Sequence, residues 1–206
     1  MIIIVDYGLG NLASVENMVR KAGGECTISS SPEQVASASR LILPGVGHFA
    51  KGMEQLRQRG LQEALDQAVM RDGKPVLGIC LGMQLMARSS EEGHGAGLGW
   101  FKADVVRFAQ ERMEGAKVPH MGWSEITVKK DHPFLPMDGL EERFYFVHAY
   151  HMVCDEPADV LALCEHGYPF VCAVAHRNIV GVQFHPEKSH RFGMALMERF
   201  IQWQPA

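Results

Sequence analysis

The sequence predicts an α/β protein with a mostly parallel central sheet and helices on both faces. Three observations carry that expectation. The chain opens on a continuous apolar run, Ile2 to Val5, of the kind given by a strand buried on both faces. Apolar runs and helix-period segments then alternate through the first half, as in a βαβ chain. The chain also has 206 residues, enough for one sizeable core, and is read as a single domain over 1–206.

After Val5, Asn11 is placed to cap a helix whose apolar stripe is Leu12, Val15 and Val19, and Gly23-Gly24 ends it. Cys26 to Ile28 reads as a short strand, and Leu41 to Leu43 as another, stopped by Pro44-Gly45. Helices follow over Phe49 to Arg57 and Leu61 to Arg71, the second turning Leu61, Leu65 and Val69 inward. Asp72-Gly73 turns the chain into a strand over Val76 to Ile79, and a helix over Leu81 to Ala87 comes next. Ser89 to Gly99 is glycine-rich and loop-like.

The second half is richer in strands: Val105 to Phe108, Ile126 to Val128, Phe144 to His148, Val160 to Leu163, Val171 to Ala175 and Ile179 to Phe184. Short turns between the last few predict a smaller antiparallel sheet in the C-terminal half. A closing helix over Ser189 to Trp203 packs Phe192, Leu196 and Phe200 inward.

Composition excludes several function classes. Net charge is −4, and acidic and basic residues are interspersed, so no basic block points to nucleic acid or a membrane surface. The N-terminal apolar run is too short to span a bilayer and lacks the basic leader of a signal peptide, which gives the expectation of a cytoplasmic protein. The five cysteines are odd in number and show no C-x-x-C spacing, which argues against disulfides or structural zinc. His148 and His151, like His185 and His190, lack a third convincing ligand, so no metal and no cofactor are expected.

One cysteine has a context that asks for chemistry. Gly78-Ile79-Cys80-Leu81-Gly82 is G-x-C-x-G between an apolar strand and a helix, the logic of the nucleophile elbow with sulfur for oxygen. The helix start favours a thiolate, and the Leu81 amide points where an oxyanion would form. A buried structural cysteine is the competing reading. Downstream, Gly181-Val182-Gln183-Phe184-His185-Pro186-Glu187 ends a strand at His185. The proline fixes a turn there, so His185 and Glu187 can face one site as base and orienting group. Pro44-Gly45-Val46-Gly47 lies at another strand's carboxyl end, where active sites of such sheets sit.

These two catalytic segments resemble those of the class I (triad-type) glutamine amidotransferases. Within that family four further blocks are most similar to the glutaminase subunits of imidazole glycerol phosphate synthases. They are Asp6-Tyr7-Gly8-Leu9-Gly10-Asn11-Leu12, Pro44-Gly45-Val46-Gly47, Pro119-His120-Met121-Gly122-Trp123 and Phe144-Tyr145-Phe146-Val147-His148. The resemblance implies attack of Cys80 on the side-chain amide of L-glutamine, with His185 and Glu187 completing a triad. It implies an oxyanion hole from Leu81 and from Val46 or Gly47, in a turn whose glycines permit a peptide flip. Gln84, at i+4 from Cys80, would bind the substrate, with Gly45, His148, Ala149 and Tyr150 forming its walls.

Ammonia released in water would protonate, so it must pass directly to an acceptor site. The resemblance places that site on a partner, a (β/α)8-barrel cyclase forming a heterodimer with this chain. The expected interface includes Tyr7, Gly10, Asn11, Met121 and Trp123, with Trp123 as an aromatic anchor. Family members commonly carry serine where Ala149 stands and tyrosine where His151 stands. These departures keep a second reading open, a paralogous glutaminase feeding amidination of a surface-polysaccharide sugar. A stand-alone γ-glutamyl hydrolase and a catalytically dead homologue are the remaining alternatives. The Tyr7 to Asn11 loop argues against the first and the intact triad against the second.

Overall fold

The computed structural model describes residues 1–113, 115–139 and 141–205. In chain order its elements are β1 (Ile2–Val5), α1 (Leu12–Lys21), β2 (Cys26–Ser29), α2 (Pro32–Ala36), β3 (Arg40–Gly45), α3 (Phe49–Gln58), α4 (Leu61–Asp66), β4 (Val76–Cys80) and α5 (Leu81–Leu85). Two short strands follow, β5 (Ser89–Ser90) and β6 (Gly95–Ala96). Then come β7 (Ala103–Arg107), β8 (His120–Val128), β9 (Arg143–His148), β10 (Tyr150–Cys154), β11 (Val160–His166), β12 (Tyr168–His176), β13 (Ile179–Val182) and α6 (His190–Gln202).

The strands β2-β1-β3-β4-β13 lie side by side and are all parallel. Alternation along β1 shows how this sheet is covered on both faces. Ile2 and Ile4 join the core under α1 and α6, whereas Ile3 and Val5 join the core under α3 and α4. The expected parallel, doubly covered sheet is therefore present.

The antiparallel half is not a separate layer. It continues the same sheet through β13–β12 and divides at β12, one arm running through β10 and β7 and the other through β11, β8 and β9.

Several element boundaries differ from expectation. β3 does not stop at Pro44 but runs through Gly45, pairing Pro44 with Ile79 and Gly45 with Cys80. Its pairing with β1 ends at Ile42, so the proline stands on an edge-like stretch, where a missing N–H is tolerated. The Asn11 side chain makes no capping hydrogen bond. The segment Gln67–Arg71 is a π turn that continues α4 and buries Val69. α2, which Ser31 caps and Pro32 starts, went unread, as did β10 and the first half of β8.

Candidate active site

The site forms at the carboxyl edge of β3, β4 and β13. Cys80 joins β4 to α5 with φ 54° and ψ −110°, a backbone region that costs a non-glycine residue roughly 1–3 kcal/mol. The flanking glycines make this elbow possible. A Cβ on Gly82 would overlap the Leu43 carbonyl, and one on Gly78 would stand 2.8 Å from the Met83 backbone. α5 thus packs against both β3 and β4 more closely than any side chain permits, and the elbow is held from both sides.

His185 follows β13 and is almost fully buried. Its backbone N–H donates to the Tyr145 carbonyl at 2.9 Å, and its own carbonyl accepts from the Ser189 hydroxyl at 2.6 Å. Ser189 Oγ in turn accepts from the Tyr145 N–H, so a fully buried serine fixes the His-Pro-Glu turn to β9. Nothing local in the sequence marks Ser189 for that task. His185 Nδ1 lies 2.8 Å from Glu187 Oε1, with both side chains out of solvent. Nδ1 is therefore the donor of the neutral ring, which leaves Nε2 as the atom that exchanges a proton.

Burial alone would push the His185 pKa down. The neighbouring Cys80 sulfur and the Glu187 carboxylate outweigh burial and raise it to about 9. Three buried polar atoms lack a hydrogen-bond partner among the described residues: His185 Nε2, Glu187 Oε2 and the Tyr7 hydroxyl. All three belong to this site or its floor, where an unsatisfied group needs a functional account.

A cavity of about 250 Å³ opens over Cys80. It is lined by Val46, Gly47, Cys80, Leu81, Gln84, His148, Ala149, Tyr150 and His185, so most of the sequence-expected site residues converge there. Gly47 has φ 113° and no atom within 4 Å of the position a Cβ would take, which leaves its peptide room to rotate. Gly45 lies below the cavity wall, where a Cβ would overlap the Tyr7 hydroxyl. Glu187 stands behind His185 and not in the cavity lining.

Three expectations are modified. Tyr7 was expected at a partner interface, but its side chain is fully buried beneath β3. Burial, reinforced by the neighbouring Cys80 sulfur, pushes its phenol pKa far up. In the same loop Asn11 is exposed and Gly10 partly so, while Met121 and Trp123 expose 63% and 40% of their surface on β8. Trp123 stacks on His190 at 5.5 Å. His151, the second departure from the family pattern, lies away from the cavity: it is buried and its Nε2 pairs with the Tyr168 hydroxyl at 2.9 Å. Of the two departures from the family pattern, only Ala149 faces the cavity.

Gln84 is the third case. Its Nε2 donates to the Tyr150 carbonyl at 3.1 Å and to Gln183 Oε1 at 3.0 Å. Both amide protons are spent, so Gln84 can offer a substrate only its Oε1 acceptor.

Sequence reasoning also missed Glu92, which lines the cavity from the β5–β6 turn. Its Oε2 accepts from the Phe49 N–H at 2.8 Å, anchoring the carboxylate at the start of α3. Among the described residues no group of three or more His, Cys, Asp or Glu side chains could hold a metal ion, and no helix is long and apolar enough to cross a membrane.

The family model described as "Glutamine amidotransferase class-I" matches residues 3–203. The chain belongs to the class I glutamine amidotransferases. Among its relatives, "Imidazole glycerol phosphate synthase subunit HisH 2" of Pseudomonas aeruginosa is 49% identical over 98% of this chain and 99% of its own. The HisH subunit of Sulfurimonas denitrificans is 48% identical over 99% of each chain, and HisH 2 of Methanococcus maripaludis 46% over 98% and 99%. Within the class I glutamine amidotransferases the chain therefore falls on the HisH branch.

Solved structures agree on the fold alone. PurLQS from Thermotoga maritima superposes with a TM-score of 0.71 at 18% identity, covering 98% of this chain and 95% of that one. The glutaminase domain of Trypanosoma brucei CTPS gives 0.62 at 16%, covering 100% and 95%.

Proposed function

We propose that this amidotransferase is the glutaminase subunit of an imidazole glycerol phosphate synthase. It hydrolyses L-glutamine at Cys80 and hands the ammonia to a (β/α)8-barrel cyclase subunit in a heterodimer, for histidine biosynthesis in the cytoplasm. One observation carries the chemical part. A strained elbow cysteine opens into the same small cavity as a buried imidazole whose far nitrogen is held by a carboxylate at 2.8 Å.

The Cys80 thiolate attacks the side-chain amide carbon of glutamine. The carbonyl electron pair moves to oxygen, and the Leu81 amide with the Val46 or Gly47 amide stabilises that charge. Donors so placed are typically worth ~3 kcal/mol each. With its pKa raised to about 9, His185 is protonated at neutral pH, the form that can give its Nε2 proton to the departing nitrogen. Ammonia leaves and a γ-glutamyl thioester remains. Water then attacks the thioester as His185 takes its proton, and the Cys80 thiolate departs with the bonding pair. Glu187 holds the ring and stabilises its cation throughout.

The cavity's polar groups suit the amino-acid end of glutamine. Glu92 receives the α-ammonium, and Gln84 Oε1 accepts a further N–H. Val147 to Tyr150 form the facing wall. On the outside, Gly10, Asn11, Met121 and Trp123 form the surface that meets the cyclase, with Trp123 as its aromatic anchor.

Ala149, which lines the cavity in place of the family's usual serine, favours a second reading in which the ammonia feeds another acceptor enzyme. Glutaminase turnover of the chain mixed with a histidine-pathway cyclase separates the two. The proposal expects turnover to rise at least tenfold when the cyclase's acceptor substrate is added. Turnover indifferent to cyclase and acceptor alike would overturn the assignment of partner.

A further inference from the structure

Gln183 is fully buried next to the catalytic histidine's strand, yet it lines no part of the substrate cavity. A primary amide removed from water needs its donors and acceptor matched. Here Nε2 donates to Cys80 Sγ at 3.6 Å, and Oε1 accepts from Gln84 Nε2 at 3.0 Å. The second Gln84 proton goes to the Tyr150 carbonyl, which also accepts from His148 Nδ1 at 2.8 Å.

A carbonyl can only accept, so that last bond fixes the His148 tautomer with its proton on Nδ1. His148 Nε2 must then accept from His120 Nδ1, 3.2 Å away, and His120 Nε2 accepts from the Ser124 hydroxyl at 2.9 Å. The Tyr150 carbonyl fixes the Gln84 amide in the same way, with its NH2 toward that oxygen, and Gln84 in turn fixes the amide nearest the nucleophile. A flipped Gln183 amide would aim oxygen lone pairs at sulfur and set its NH2 against the Gln84 NH2.

We propose that Gln183 is a positioning residue for the nucleophile, giving an N–H to the Cys80 thiolate and held in that orientation by Gln84, whose own amide is fixed by the Tyr150 carbonyl. The inference rests on Cys80 being the nucleophile. His148, which shares the Tyr150 carbonyl, and His120 behind it are held neutral by burial, which lowers His120 to about 4 and holds His148 well below its ordinary value, so neither adds a charge beside the sulfur. Three other polar groups face the sulfur or its cavity: His185 after β13, the buried Tyr7 hydroxyl from beyond β1, and Glu92 across the opening. Removing the Gln183 donor leaves these in place, so its effect on the thiolate can be read separately.

The test is the pH profile of Cys80 alkylation by iodoacetamide in the isolated chain, followed on the Cys80 peptide by mass spectrometry. Gln183→Met keeps the volume and removes the donor. Losing a hydrogen bond to the charged form should move the profile's midpoint up by about one pH unit, a tenfold loss of thiolate at fixed pH. In the cyclase complex kcat should fall about tenfold while KM for glutamine stays within twofold, because Gln183 does not touch the cavity. Gln84→Met leaves Gln183 intact but unoriented. It should shift the midpoint in the same direction by less, and it decides the matter if Gln183→Met does not fold.

Profiles of both variants superimposable on the parent's would overturn the proposal. Cys80→Ala separates that outcome from failure of the underlying reading. Retained glutaminase activity in Cys80→Ala means that the nucleophile itself is misassigned. Lost activity with unshifted Gln183→Met and Gln84→Met profiles means that only the positioning role fails.

Discussion

Replacing Gly78 by alanine tests the elbow with one methyl group. The added Cβ would meet Met86 Cε at 2.7 Å and the Met83 backbone nitrogen and Cα at 2.8 Å, where ordinary contact begins at 3.4 Å. The Met86 side chain can swing aside, but the Met83 backbone belongs to α5 and can move only with the helix. α5 must therefore retreat from β4 by about half an ångström, taking the Leu81 amide and tilting Cys80 with it.

Overpacking of this kind costs about 2 kcal/mol. For a chain of this size that lowers Tm by roughly 4–8 °C, well short of unfolding at room temperature. The catalytic loss should be measurable too, because displacement of a reacting group by an ångström costs on the order of 100-fold in rate, and half that displacement on the order of tenfold. Thermal unfolding followed by circular dichroism, with kcat on the folded protein, measures both. A Gly78→Ala chain with the parent's Tm and kcat would refute the claim that close β4–α5 packing sets the nucleophile's position.

Three further outcomes follow from the site. His185 has a folded-state pKa of about 9, above its unfolded value near 6.5, so its contribution to stability is present below pH 6.5 and lost as pH rises through 9. Glu187→Gln should flatten that decline in urea titrations at pH 6.5 and 9.5; equal slopes in parent and variant would contradict the Glu187–His185 coupling. The same variant should lower kcat by roughly 100-fold or more, since the ring loses its orienting charge. Glu92→Gln should raise KM for glutamine about tenfold with kcat little changed, and steady-state kinetics with a glutamine analogue lacking the α-amino group should show no such difference between parent and variant.

Much of this arrangement was legible in the sequence because the chemistry is local there. The elbow is five consecutive residues, and His185 and Glu187 straddle one proline. Long periodic segments were equally plain: Leu61, Leu65 and Val69 are buried as their spacing predicts, and Ile2–Val5 is buried throughout. What escaped depends on tertiary neighbours. α2 is five residues long, too short to show a period, although Ser31 and Pro32 carry the usual start. The first half of β8 follows a proline and contains Gly122 at φ 130°, so its pattern shows no strand and only its pairing with β9 makes one.

Glu92 sits in a polar, glycine-rich turn and acquires a role only when α3 brings Phe49 against it. Tyr7 read as a surface aromatic beside two glycines, yet the bareness of Gly45 is what makes room for it underneath. Gln183 lay inside a recognised segment, and only the fold shows that its amide reaches the sulfur of Cys80.

The central claim is a division of labour between a glutaminase built on Cys80 and an acceptor site on another subunit. Synthesis of imidazole glycerol phosphate by the complex, measured with glutamine and separately with added ammonia, tests it on Cys80→Ala. The account predicts that glutamine-dependent synthesis disappears while ammonia-dependent synthesis stays at the parent's rate. Loss of both activities, or retention of the glutamine-dependent one, would contradict it.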